Sequence, residues 1–174
     1  MNSPLAVFTD GSCIRNGFPD ARGAYACVWP EHPAYDVGIA LPPDEVHTNN
    51  RAEYRALLHA LVQADEIGPL RNLVVYTDSQ LMINSFTKWI GGWKRRGWKK
   101  ADGKPVANVD LLMEIDEKMK HRNVTFHHVR AHTGTTDTFE SFFNDKVDRL
   151  ARASVRPTSH PPPPSSCRRR PASV

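Results

Sequence analysis

The stretch Leu73-Val74-Val75-Tyr76-Thr77-Asp78-Ser79-Gln80 marks the point where the chain changes pattern. Residues 73–77 form a short β-prone run flanked by turn signals, which predicts a strand. Helical spacing resumes at about residue 81 and runs to 89. Upstream lie three more β-prone runs, at residues 5–9, 24–29 and 37–41. The segments between them are short and rich in Gly, Pro, Asp and His, which predicts an antiparallel meander. A helix is expected over residues 51–67, where Leu57, Leu58, Leu61 and Val62 recur at helical spacing until Gly68-Pro69 stops them. Downstream, a helix over 109–120, a strand over 124–129 and a last helix over 142–153 complete the order βββαβααβα. Strands that alternate with helices favour parallel pairing through right-handed crossovers. The expected fold is therefore α/β, a mixed five-stranded sheet of three antiparallel strands and then two parallel ones, flanked by helices.

The chain has 174 residues, enough for one domain and a tail. The domain is expected over residues 1–154. The tail, residues 155–174, contains four consecutive prolines and an Arg triplet, and is expected to be disordered. Of the 23 Lys and Arg residues, four (Arg156, Arg168, Arg169 and Arg170) lie in this acid-free tail, so the remaining 19 balance the 19 acids. The net charge of +4 is thus a property of the tail and does not argue for nucleic-acid binding by the body. No apolar run approaches a membrane span, and the start, MNSPLAVFTD, does not read as a signal peptide. Three cysteines, one of them Cys167 in the tail, argue against a disulfide framework and for a reducing, intracellular compartment. Cytoplasm and nucleus are not distinguished. Nothing indicates a protein partner, so a monomer is expected.

Four acids stand at structural junctions. Asp10 ends the first strand and opens a DGS turn; Glu53 follows Asn50 at capping-box spacing; Asp78 ends the fourth strand; Asp148 lies on the last helix. Each alone has an ordinary structural explanation. Together they mean more, because Asp10 and Asp78 would share one depth if the first and fourth strands are neighbours. A helix starting near Asn50 could bring Glu53 to the same edge. Crowded carboxylates repel, and hard divalent cations such as Mg²⁺ relieve that repulsion with oxygen ligands.

The motifs TDGSC around Asp10, TNNRAE ending at Glu53, YTDSQ around Asp78 and NDKVDRLA around Asp148 resemble type 1 ribonuclease H. The resemblance covers about residues 5–153 and matches all four acids in order. It implies the ribonuclease H-like fold and hydrolysis of the RNA strand of an RNA–DNA hybrid duplex, leaving 5′-phosphate and 3′-hydroxyl ends. It further implies that Asp10, Glu53, Asp78 and Asp148 hold two Mg²⁺ ions, with Mn²⁺ as a possible substitute. His132, in VRAH, matches a family histidine in a mobile loop that moves protons or assists product release. Gly11, Ser12, Cys13, Asn16, Asn49, Asn50 and Gln80 match positions lining the hybrid's minor groove, where RNA 2′-hydroxyls are read.

Residues 88–104 hold seven basic residues, one acid and three of the four tryptophans. Trp89, Trp93, Lys94, Arg95, Arg96, Trp98 and Lys99 are expected to contact substrate, the cations on phosphates and the tryptophans on sugars or bases. The segment resembles the basic protrusion of cellular and bacterial ribonucleases H, and so favours a free-standing enzyme. The sixteen positions from His132 to Asp148 exceed the usual family spacing, and Ala131 stands where the family usually has Gly. His127 and His128, successive on a strand, should point to opposite faces, and no CxxC or HExxH pattern supports zinc. The alternatives are a catalytically weak hybrid-binding module and a ribonuclease H domain derived from a reverse transcriptase.

Overall fold

The computed structural model of the protein describes residues 3–131 and 134–156. Its first strand, β1 (Leu5–Ile14), is longer than the sequence suggests. The DGS triplet does not turn. It stays in the antiparallel ladder with β2 (Arg22–Val28), where Asp10 pairs with Ala26 and Gly11 with Tyr25. Ladder hydrogen bonds here override the local turn preference of Asp and Gly. β2 pairs antiparallel with β3 (Val37–Ala40) after a single 3₁₀ turn at Pro33–Tyr35.

Helix α1 (Asn49–Ile67) begins two residues before the expected start. Its N-cap is Thr48, whose hydroxyl accepts from the Arg51 amide at 3.1 Å. The chain then crosses to β4 (Leu73–Thr77), parallel to β1, and to β5 (Val124–His128), parallel to β4. The strand order is β3-β2-β1-β4-β5, the expected mixed sheet.

Between β4 and β5 the chain forms α2 (Gln80–Asn84), a π-helical turn at Ser85–Trp89, α3 (Ile90–Arg95) and α4 (Val109–Met119). The expected helix over 81–89 thus continues further, through a π turn where the Ser85 hydroxyl donates to the Leu81 carbonyl and meets Tyr54 Oη at 2.7 Å. Helix α5 (Phe139–Ala153) starts three residues early. Thr138 and Ser141 form its capping box, and Phe139 packs edge-on against Phe8 and Tyr76.

The period of two along β1 and β2 explains the layers. Val7, Cys27 and Trp29 pack with Leu57 and Leu61 of α1 and with Leu112 of α4. Phe8, Ala26 and Val28 pack with Val147 and Ala151 of α5. The central strands are covered on both faces, and only their ends reach solvent. Among the described residues no helix is long and apolar enough to cross a membrane. Cys13 and Cys27 are free thiols. Residues 157–174, with the Pro/Arg tail expected at the C-terminus, lie outside the described residues.

Candidate active site

The parallel register fixes the first two acids. Phe8 pairs with Tyr76, so Asp10 and Asp78 each stand two residues further along neighbouring strands. Glu53 arrives from the other direction. With Thr48 as the cap, it lies on the second turn of α1, and the capping-box explanation for it falls away. Its side chain turns inward and is only 5% exposed, while Asp10 is 3% exposed.

Gly11 makes this approach possible. A Cβ there would stand 2.6 Å from the Glu53 amide nitrogen and 2.8 Å from the Ala52 Cβ. Hydrogen on Gly11 and a methyl on Ala52 let strand and helix touch where the two acids meet. The Gly11 amide also donates to Asp10 Oδ1 at 2.9 Å.

Carboxylate oxygens of Asp10, Glu53 and Asp78 all lie within 4.8 Å of one another. Burial, then the neighbouring charges of Glu53 and Asp78, push the Asp10 carboxyl far above the usual carboxylate range. Burial and then Asp78 also raise Glu53, whose Oε2 is buried with no hydrogen-bond partner. Buried acids without compensation are expensive as anions and become acceptable only when protonated or neutralised by cations. An all-oxygen donor set with an orphaned buried carboxylate oxygen fits a hard divalent cation.

Asp148 completes the rim from α5. Its carboxylate reaches Asp10 and also accepts from Arg152 at 2.7 Å, one helical turn on. An open depression is lined by all four acids together with Gly11, Ser12, Cys13, Asn49 and Arg152. Among the described residues, Asp10, Glu53 and Asp78 are the group of His, Cys, Asp or Glu side chains close enough together to hold one ion. His127, considered for zinc, instead meets Glu140 at 2.8 Å.

The chain matches the RNase H family over residues 2–156. The chain belongs to the RNase H family. It is 38% identical over 157 residues to mouse Ribonuclease H1, covering 90% of this chain and 52% of that protein. It is 36% identical over 155 residues to the Ribonuclease H of Enterobacter sp. (strain 638), covering 89% and 91%. The solution structure of the PFV RNase H domain superposes with a TM-score of 0.70 at 25% identity, over 88% of this chain and 95% of that domain. The chain spans about half the length of the mouse relative it matches. These likenesses agree with the type 1 resemblance carried by the four motifs.

The remaining residues expected from the RNase H resemblance fall into distinct places. Asn16 Oδ1 accepts from the Asn49 amide at 3.1 Å, binding the turn after β1 to the start of α1. Asn16, Asn49 and Asn50 border a second depression that continues from the acids through Asn49. Gln80 opens α2 on the surface and donates to Asn84 Oδ1 at 3.0 Å. His132 lies outside the described residues.

The basic segment divides more sharply. Trp93 and Trp98 pack against the main core, whereas Trp89 is 40% exposed. Lys94 is held by Asp116 at 2.7 Å, and Arg96 Nε donates to the Lys99 carbonyl at 3.1 Å. Arg95 and Lys99 are exposed on the same segment. Packing and pairing therefore account for Trp93, Trp98 and Lys94. Arg152 was not singled out from the sequence, although its i,i+4 spacing from Asp148 was the available signal.

Proposed function

We propose that the protein hydrolyses the RNA strand of RNA–DNA hybrids, leaving 5′-phosphate and 3′-hydroxyl ends. The observation that carries this reading is the convergence of Asp10, Glu53 and Asp78, two of them buried, at the floor of an open depression. Membership of the RNase H family and the names of its relatives support it. Residues 1–154 would be the catalytic unit.

Asp10, Glu53, Asp78 and Asp148 would hold two Mg²⁺ ions, with Mn²⁺ able to substitute. Bound there, the ions would supply an activated water and stabilise the leaving oxygen of the phosphodiester. The chain's own residues set the conditions. The buried pair must give up protons on binding cations, so metal affinity rises with pH. Gly11, Ser12 and Cys13 continue β1 along the depression and would present small groups to the RNA backbone. Asn16, Asn49 and Asn50 would engage the minor groove, with amide groups suited to 2′-hydroxyls. Gln80 would extend that contact. Trp89, Arg95, Arg96 and Lys99 would follow the DNA strand, with Trp93, Trp98 and Lys94 mainly holding the segment in place. His132 would move protons or assist product release, as the family resemblance implies.

The test is cleavage of labelled RNA–DNA hybrid, duplex RNA and duplex DNA, each with Mg²⁺ and with chelator. Mg²⁺-dependent cutting of the RNA strand of the hybrid, with both other duplexes intact, is the expected result. Hybrid binding without cleavage would overturn the enzyme reading in favour of a binding module.

A further inference from the structure

One buried polar group stands beside the acids. Asn144 lies on α5, 6% exposed, one helical turn before Asp148. Its Nδ2 donates to the Arg130 carbonyl at 3.3 Å, while its Oδ1 is buried with no partner. Arg130 lies just past β5. The residue before it, Val129, donates its amide to the Thr77 carbonyl at 2.9 Å. Thr77 immediately precedes Asp78. A short path of hydrogen bonds therefore runs from the end of β4, across the end of β5, to Asn144, and then along one face of α5 to Asp148. Asp78, Asn144 and Asp148 line one pocket with Ser141.

We propose that Asn144 is a positioning residue whose amide fixes Asp148 against Asp78. The inference rests on the reading of the acids as a metal-dependent hydrolytic site. Residues four apart share a helix face, so anchoring the first sets where the second points. A half-satisfied buried amide is a poor device for stability, because the orphaned acceptor keeps its desolvation cost. Replacing it with an apolar group removes bond and orphan together and leaves only the carbonyl of Arg130, an exposed residue, to turn to water, so a purely structural role predicts little effect beyond packing. A positioning role predicts damage at the acids.

The experiment measures Mg²⁺ and Mn²⁺ binding by calorimetry, and the Mg²⁺ dependence of hybrid hydrolysis. The variants are Asn144→Ala and the near-isosteric, apolar Asn144→Leu, with Asp148→Asn as comparator. In both Asn144 variants metal affinity should fall, and half-saturating Mg²⁺ should rise, by about tenfold, as for residues that support metal ligands from behind. The KM for hybrid at saturating Mg²⁺ and the melting temperature in chelator should stay near the parent values. Unchanged metal binding and Mg²⁺ dependence in both Asn144 variants, with both shifted in Asp148→Asn, would overturn the positioning role alone. If Asp148→Asn also leaves both unchanged, the reading of the acid site falls, and this inference with it.

Discussion

The inner and outer acids of the cleft solve the same problem in different ways. Asp10 and Glu53 sit where β1 meets α1, buried, with carboxyls pushed above their usual range and one Glu53 oxygen unpartnered. Asp148 stands on the rim with its charge already met by Arg152. Burial makes the inner pair dependent on protons or cations, whereas the outer acid has compensation on its own helix. The fold thus concentrates its electrostatic strain at the floor of the site.

The strongest way to break this contrast is Asp10→Asn. Removing an inner acid should cost about 4 kcal/mol of transition-state stabilisation, roughly a thousandfold in rate. Single-turnover cleavage at saturating Mg²⁺ checks it, and a rate close to the parent's would end the proposed division of roles. Gly11→Ala comes next. Its Cβ would meet the Glu53 amide nitrogen at 2.6 Å, and overpacking of this kind costs about 1–3 kcal/mol. Urea unfolding reads the loss, and an unchanged midpoint would show that β1 and α1 can separate freely. Asp148→Asn should be milder, about tenfold in rate or about 1.4 kcal/mol, because its charge is already shared with Arg152. Equal losses for Asp10→Asn and Asp148→Asn would erase the inner–outer distinction.

A separate expectation concerns pH. Asp10 and Glu53 bind protons more tightly in the fold than in the unfolded chain. Their contribution to stability is therefore complete below the unfolded carboxylate range and is lost as pH rises toward their raised values. With metal chelated, thermal unfolding should show stability falling between about pH 5 and about pH 8, a span above ordinary carboxylate pKa values. Asp10→Asn should flatten that slope, and Mg²⁺ should oppose it at the upper end. A metal-free protein that gains stability over this interval would contradict the assignment of buried, uncompensated acids.

Local readings failed in instructive places. The turn expected at Asp10-Gly11 is extended strand, because pairing with β2 continues to Ile14 and the ladder outweighs turn propensity. The cap expected at Asn50 is Thr48, a competition between neighbouring polar residues that spacing alone did not separate. The long interval before Asp148 is partly helix, because Thr138 and Ser141 cap α5 early and Phe139 finds an aromatic seat. Lys94 reads from sequence as a phosphate contact. Its pairing with Asp116 depends on how α3 and α4 meet.

The sequence by itself determined the order of elements, the mixed sheet and the four acids with their family. Apolar periodicity and short polar motifs are local properties that survive in one dimension. Only the tertiary structure decided that Asp10 and Glu53 are buried, that Gly11 and Ala52 let them meet, and that Lys94 is paired with Asp116. Desolvation, close approach and charge pairing arise between segments far apart in the chain. Their strength depends on depth and distance, which no spacing of residues records.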